Sequence, residues 1–449
     1  MKKPAQIIIL GAGLVGSLLA VYLRKRGYRV VMYERRPDMR KVQIPAGRSI
    51  NLALSDRGWK ALEGVNIDDD IRKIGIPMKG RMIHPVQGEN YFQPYGKEGQ
   101  AIYAVSRGIL NCTLLDLAEK AGAEIFFDQR CTSVDLHAGK AKLVNTVTGF
   151  ESEAAADFIF GADGAYSAAR LQLQLTDRYN YSQTYLEHGY KELMFVAGKD
   201  GSHQIEKNAL HIWPRGGYML IALPNLDGTF TVTLFFPFKG NPSFETLNSK
   251  AKVSAFFNEV FPDAVPLMPD LEEDFFRNPT GSLMTVRCFP WNFENRLALI
   301  GDAAHAIVPF YGQGMNCGFE DCTILNQLLD LYDDDWNKAI PAFEQERKPA
   351  ADAIAELAVA NFYEMRDLVG HPDFILRKKI EAWFSEKHPD KWIPLYTMVT
   401  FSHMPYQEAL KRGKRQDEIM DKVMSLPGIH DNWQNDQTEK LILDLLKNV

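Results

Sequence analysis

Gln6-Ile7-Ile8-Ile9-Leu10 is a nearly continuous apolar run, and Arg29-Val30-Val31-Met32-Tyr33-Glu34 is a second. Between them lie Gly11 to Gly16 and a stretch of helical character to Arg26, stopped by Gly27. Apolar runs bounded by glycine read as buried strands, and this order predicts a β-α-β unit, hence a parallel sheet covered by helices. Gly108 to Phe127 repeats a helix and a strand, and Phe158-Ile159-Phe160 and Leu297 to Ile300 read as buried strands ending on glycine. From roughly 175 to 285 the period changes to two, as in Tyr218 to Leu223 and Phe230 to Phe236, with turns at Pro224-Asn225 and Asp227-Gly228. An inserted antiparallel sheet is expected there. From about 316 onward the pattern is helical, clearest in Ala350 to Met365 and Lys440 to Leu446.

Composition narrows this picture. A chain of 449 residues exceeds one simple core, so two or three lobes are expected. Hydrophobic residues at 46% and charged residues at 24% describe an ordinary globular protein. A net charge of −6 offers no attraction for phosphate backbones, which excludes nucleic acid as the expected partner. Lys411, Arg412, Lys414 and Arg415 are followed by Asp417 and Glu418 and read as a solvated helix face. Five scattered cysteines without C-x-x-C spacing predict reduced thiols, no metal site and a cytoplasmic protein. No apolar run approaches the ~18 residues of a membrane span. Trp392 to Phe401 is too short and contains Pro394, and Leu441 to Val449 is an amphipathic helix at most. A soluble protein is expected.

Gly11-x-Gly13-x-x-Gly16 directly follows a strand and opens a helix, the context that gives this pattern its meaning. The first glycine permits the turn, the second lets a pyrophosphate approach the backbone, and the third packs helix on strand. Glu34, 23 residues after Gly11, ends the second strand where an acid can accept ribose hydroxyls. The candidate dinucleotide residues here are Gly11, Gly13, Leu14, Val15, Gly16, Glu34, Arg35 and Arg36. This unit alone does not choose between NAD, NADP and FAD.

Two distant segments do. Gly161, Asp163, Gly164, Ser167 and Arg170 follow one strand, and Gly301, Asp302, His305, Pro309, Gly312, Gly314, Met315 and Asn316 follow another. With the first unit they resemble, in order and spacing, the three fingerprints of class A flavoprotein monooxygenases. Arg48 to Ser55, Gly80 to His84, Tyr103 to Asn111, Gly189 to Leu193 and Phe235 to Phe238 further resemble the kynurenine hydroxylase family, over most of the chain. The resemblance implies an α/β protein with three parts. A Rossmann-like FAD-binding domain would comprise 1–70, 100–175 and 286–330, an antiparallel-sheet substrate domain 71–99 and 176–285, and a helical region covering the substrate site 331–449. It places Glu34, Ala53, Arg107, Asp302, Gly314, Met315 and Asn316 around FAD, and Arg81, Tyr95, Asn361 and Tyr396 at the substrate.

These residue types suit that chemistry. Asp302 is a carboxylate able to hold ribityl hydroxyls, and the Gly312 to Asn316 turn offers backbone N–H groups to the flavin's pyrimidine edge. An Arg with Tyr hydroxyls is an apt clamp for an amino-acid carboxylate, because guanidinium donates two charge-assisted hydrogen bonds in one plane. Glu364 reads equally as a partner of the substrate ammonium or as plain helix surface. Asp163 and His305 are expected to hold loops, and Tyr311 to line the pocket. Phe236, Phe238 and Phe310 fit core or pocket.

The implied reaction is NADPH- and O2-dependent hydroxylation of L-kynurenine to 3-hydroxykynurenine through a flavin C4a-hydroperoxide. It belongs to tryptophan degradation and feeds NAD or quinolinate synthesis. No catalytic side chain is singled out, since the flavin carries the chemistry. NADPH is expected to visit a surface groove. Another amino-aromatic acid as substrate, or an FAD-binding sensor, is the alternative. A W-x-W-x-I-P halogenase signature is absent, and a plain NAD dehydrogenase would lack the Gly301-Asp302 segment. Monomer and homodimer both remain open.

Overall fold

The computed structural model describes residues 4–42, 51–96, 99–369 and 371–447. Ile7, Ile8, Ile9 and Leu10 are fully buried, as an apolar run must be when its sheet is covered on both faces. The strand Gln6–Leu10 pairs in parallel with Arg29–Tyr33 on one side and Phe158–Gly161 on the other. Leu297–Leu299 and Glu124–Phe126 extend the sheet in parallel at either end, and Asn292–Phe293 adds an antiparallel edge. The helix Leu14–Lys25 buries Leu18, Leu19 and Leu23, and the chain turns back at Gly27 with φ +83°. Two small antiparallel sheets lie beside this one, Gln129–Asp135 with Lys140–Asn145 and Glu151–Ala155, and Asn51–Leu54 with Ile102–Ser106 and Gly75–Met78. The alternation in these short strands was not read from the sequence.

The inserted sheet has seven strands, including Asn180–Phe195, Ala209–Pro214, Met219–Pro224, Phe230–Pro237 and Thr280–Phe289. It is not wholly antiparallel, because Gly80–Ile83 joins it in parallel with Ala209–Pro214. A strand arriving from far earlier in the chain is free of the hairpin constraint that enforces antiparallel pairing. Helices Lys250–Val260 and Leu271–Arg277 cover one face, where Phe236, Leu234 and Val232 pack on Phe257 and Phe261. On the other face Phe235 meets Phe310. On the helix-covered side Nδ1 of His84 lies 2.8 Å from Asp263, its Nε2 lies 2.9 Å from Nδ1 of His211, and Nε2 of His211 lies 2.8 Å from the Glu206 carbonyl.

The helical region starts with Gly314–Leu331, as expected from about 316, and the helix containing Ala350 begins before that residue. A single helix spans Trp336–Tyr363 with Pro341 and Pro349 inside it, then widens into the π-helical turn Glu364–Leu368. Helices Pro372–Lys387, Leu395–Thr400, Tyr406–Met424 and Asp436–Lys447 follow. No helix among the described residues is long and apolar enough to cross a membrane. The five cysteines are free thiols. Arg48 to Ile50, which begin one of the quoted segments, lie outside the described residues, as do Asn448 and Val449.

Candidate functional site

The three glycines of the first turn answer to different neighbours. A Cβ on Gly11, which has φ +98°, would stand 2.5 Å from the Ala162 carbonyl oxygen, and one on Gly16 would stand 2.2 Å from that of Gly11. Protein packing alone therefore requires those two. A Cβ on Gly13 would meet no protein atom within 4 Å. The space it leaves is not filled by the chain, as expected where a pyrophosphate must approach the backbone. No side chain caps the helix Leu14–Lys25 and no acid occupies its first turn, so its positive end is available to an anion. Glu34 accepts from the Ala12 N–H at 2.9 Å on Oε2, and from the backbone N–H and Nε of Arg36 at 3.0 and 2.8 Å on Oε1. Burial would raise its pKa, but Arg36 and these N–H groups hold it below the ordinary carboxylate range. Oε2 keeps an acceptor position for a hydroxyl. Arg35 is exposed, Arg36 half-buried, and Leu14 and Val15 partly buried.

Across from this turn, Gly301 takes φ +60° and leads into the exposed Asp302. Pro309–Tyr311 forms a short turn ending at Gly312 with φ +65°, and Gly314–Leu331 begins without a side-chain cap or a first-turn acid. A Cβ on Gly314 would touch only Ile307, at 3.7 Å. Asn316 is fully buried. Its Oδ1 accepts from the Ser55 N–H at 2.9 Å, and its Nδ2 donates to the carbonyls of Ala53 and Gly312 at 2.8 and 2.7 Å. This amide ties the strand Asn51–Leu54 to the turn, leaving only backbone N–H groups of Gly314, Met315 and Asn316 to meet a cofactor. Ala53 is half-buried beside Gly312, and Arg107 is exposed at the start of the helix Arg107–Lys120. Asp163 caps the next helix, accepting from the Ala168 and Ala169 N–H groups at 2.6 and 3.3 Å, and Arg170 donates to the Ala303 carbonyl at 2.8 Å. The loop-holding expectation for Asp163 fits these bonds. Two uncapped helix ends, an unfilled glycine cradle and an acid at the end of the second strand together fit an FAD.

Behind the second turn lies a buried ion network. Asp321 accepts from Nε2 of His305 at 2.6 Å, from Nε of Arg347 at 2.7 Å and from the Gly301 N–H at 3.0 Å. Glu320 takes Arg347 at 2.7 Å and also Arg57. Burial pushes the His305 pKa down, but Asp321 and Cys317 outweigh it and hold it well above the ordinary histidine value. His305, Cys317 and Asp321 place their ligand atoms within 4.8 Å of one another. Arg347, 3.3 Å from the Cys317 sulfur, already supplies the cation of that cluster.

The substrate candidates meet on the other side of the turn. The Arg81 guanidinium lies 4.8 Å from the Tyr396 ring centre and 5.8 Å from that of Tyr95. The two rings stack at 5.2 Å, and Tyr311 stacks on Tyr396 at 5.6 Å. Burial would lower the Arg81 pKa, but Tyr396, Tyr95 and Glu364 raise it, so the guanidinium is firmly charged. Arg81 Nε and the Tyr95 hydroxyl are buried and make no well-formed hydrogen bond in the protein, although Tyr396 is close enough to both to act on them. Leaving such donors unmet costs about 1–3 kcal/mol each, which marks a place where a polar ligand belongs. Glu364 is half-buried in the π-helical turn, which breaks the regular i, i+3 relation expected with Asn361. Asn361 is buried and donates to the Phe310 carbonyl at 2.6 Å, steadying the Pro309–Tyr311 turn. Phe310 packs at a tilt on Phe362, ring centres 4.3 Å apart, and on Phe235 at 4.8 Å, whereas Phe236 belongs to the opposite face. Phe401, beside both Tyr95 and Tyr396, was not singled out from sequence.

A family profile described as FAD binding domain matches residues 4–358. The chain is 51% identical over 448 residues to a kynurenine 3-monooxygenase of Christiangramia forsetii, covering 100% of both chains. It is 45% identical to a kynurenine 3-monooxygenase of Dictyostelium discoideum, covering 94% of each. Among solved structures, the tetrameric form of 2-methyl-3-hydroxypyridine-5-carboxylic acid oxygenase aligns with a TM-score of 0.67 at 20% identity, over 84% of this chain and 95% of that one. That last likeness concerns the fold.

Proposed function

The chain belongs to the kynurenine 3-monooxygenase family of FAD-binding proteins, and from this premise we propose that it hydroxylates L-kynurenine to 3-hydroxykynurenine. One oxygen atom of O2 enters the ring and the other leaves as water, with NADPH supplying two electrons. The observation that carries this reading is the buried Arg81 and Tyr95 pair, whose unmet donors face a stack of tyrosines beside the Pro309–Tyr311 turn. The substrate carboxylate would take Arg81 and Tyr95, and Glu364 would face its ammonium. Bound FAD supplies the oxygen-activating chemistry. The chain's own work is to orient the substrate ring and exclude water, because the aniline nitrogen already activates the neighbouring ring carbon. Gly13, Glu34, Asp302 and the N–H groups of Gly314 to Asn316 would hold the cofactor, with Arg107 at its edge. The reading assigns the six-stranded sheet to the cofactor, the seven-stranded sheet to the substrate and the helices after 331 to the cover. Free thiols suit a reducing compartment, the cytoplasm.

The test is NADPH oxidation by the purified yellow protein with and without L-kynurenine, with product mass and hydrogen peroxide measured in parallel. A kynurenine-dependent product heavier by one oxygen is expected. Stimulated oxidation yielding peroxide alone would make kynurenine an effector and leave another amino-aromatic acid as the substrate.

A further inference from the structure

Gln313 stands immediately before the helix Gly314–Leu331 and is fully buried. Its Nε2 donates to the Ser55 hydroxyl at 3.3 Å, and the Ser55 N–H donates to Asn316 Oδ1 at 2.9 Å. Gly314 and Met315 are therefore spanned between two amide side chains fastened to one residue. The other end of the Gln313 amide is used as well, since its Oε1 accepts from the Tyr406 hydroxyl at 2.8 Å. Tyr406 opens the helix Tyr406–Met424, 93 residues further along the chain, and it too is fully buried.

Tyr406 is itself held from the other side. The Arg57 guanidinium lies 3.9 Å from the centre of its ring. Arg57 donates to Glu320, on the helix that Gln313 precedes, and to the carbonyls of Val399 and Met404. Val399 shares the helix Leu395–Thr400 with Tyr396 of the tyrosine stack. Burial outweighs Arg57 and holds the Tyr406 pKa well above the ordinary tyrosine value, so the hydroxyl keeps its proton and donates it to Gln313. In a buried, low-dielectric place such a bond is strong, and an amide oxygen deprived of its donor has to move or take up water. Backbone N–H groups at a helix start stabilise negative charge only where they are aimed at it, so a small displacement of Gln313 changes what they can do.

We propose that Tyr406 is a positioning residue for the flavin: by fixing Gln313 it holds the N–H groups of Gly314 to Asn316 at the cofactor, and so sets how strongly the protein favours reduced over oxidised FAD. This rests on the reading that the turn from Gly312 to Asn316 meets the flavin. A helix assigned to the cover of the substrate site thus also acts on the cofactor.

Tyr406→Phe keeps the ring under Arg57 and removes only the hydroxyl. Its two-electron midpoint potential is measured on the FAD-loaded protein by dye equilibration, with FAD affinity, circular dichroism and amide hydrogen exchange recorded beside it. Gln313→Met, the double variant and Gly314→Ala are treated in the same way. Tyr406→Phe is expected to retain its FAD and its fold while its potential falls by about 30 mV, equivalent to about a tenfold loss of preference for the reduced cofactor. Amides of Gly312 to Asn316 should exchange about tenfold faster. The double variant should fall no further than Gln313→Met, because Tyr406 acts through that amide. An unchanged potential in Tyr406→Phe overturns the proposal, as do two single falls that add in the double variant. Should Gln313→Met not fold, exchange decides, and no acceleration in Tyr406→Phe overturns it equally. If Gly314→Ala leaves potential and FAD affinity untouched, the turn does not meet the flavin and the proposal goes with it. A lowered potential in a protein inactive on kynurenine leaves the role of Tyr406 standing and sinks the substrate reading instead.

Discussion

Arg81 lies deep in the protein and is only partly exposed. Its charge is held by two tyrosines and Glu364, so a carboxylate reaching it would meet a formed cation. Arg81→Gln keeps polar donors but loses the charge and the planar fork. Its kynurenine KM is expected to rise about 30-fold, equivalent to about 2 kcal/mol, with little change in melting temperature. Steady-state kinetics beside a thermal melt checks both halves. The glycines give a second contrast. Gly13→Ala is expected to fold like the parent yet lose FAD affinity by about tenfold or more, because its methyl intrudes only on the ligand's space. Gly16→Ala forces a methyl against the Gly11 carbonyl and is expected to fail as a fold. Flavin retention after desalting, read against circular dichroism of the apoprotein, distinguishes them.

At the scale of elements, the His84 and His211 pair shows how the seven-stranded sheet is held to its helices. The His84 ring stands between Asp263 and His211, and the His211 ring in turn reaches the Glu206 carbonyl. Burial pushes the His211 pKa from 6.5 to about 4. An unfolded chain binds that proton between these values and the folded chain does not, so stability is full above pH 6.5 and is lost as pH falls toward about 4. Replacing His211 with Gln removes this term. The melting-temperature gap between parent and variant should therefore narrow from pH 6.5 down to 4, and a constant gap would contradict the assignment. The β-α-β unit was legible because an apolar run, three glycines and Glu34 lie within a few dozen residues. The grouping of Arg81 with Tyr95 and Tyr396 was legible only through resemblance, since nothing local to Arg81 or Tyr396 announces that they meet. Phe235 was passed over for Phe236, although one residue of register decides which face each occupies. The pairing of Gly80–Ile83 with Ala209–Pro214 joins residues too distant for any periodicity to reveal.

For the molecule as a whole, the buried ions do the joining. Arg57, Glu320, Asp321, Arg347 and His305 come from four helices, and Arg57 also reaches the Met404 carbonyl while Tyr406 donates to Gln313 at 2.8 Å. The late helices are thus bound to the turn that would meet the flavin. Arg347→Met leaves Glu320 and Asp321 with too little positive charge in a buried place. A loss of about 3–5 kcal/mol is expected by denaturant unfolding, with the flavin released at lower denaturant than in the parent. A loss under about 1 kcal/mol would mean the network is dispensable.

The six-stranded sheet has a history that its finished form conceals. Gln6–Leu10 and Arg29–Tyr33 are made first, yet the row is completed only by Leu297–Leu299. At about 5–20 residues per second, a ribosome needs roughly 15–50 s to travel between them. For about the second half of that interval, roughly 7–27 s after it has itself been made, the edge strand Phe158–Gly161, wholly apolar and bare on one side, waits for Leu297–Leu299. That wait, more than the finished sheet, is where the chain is open to misassembly.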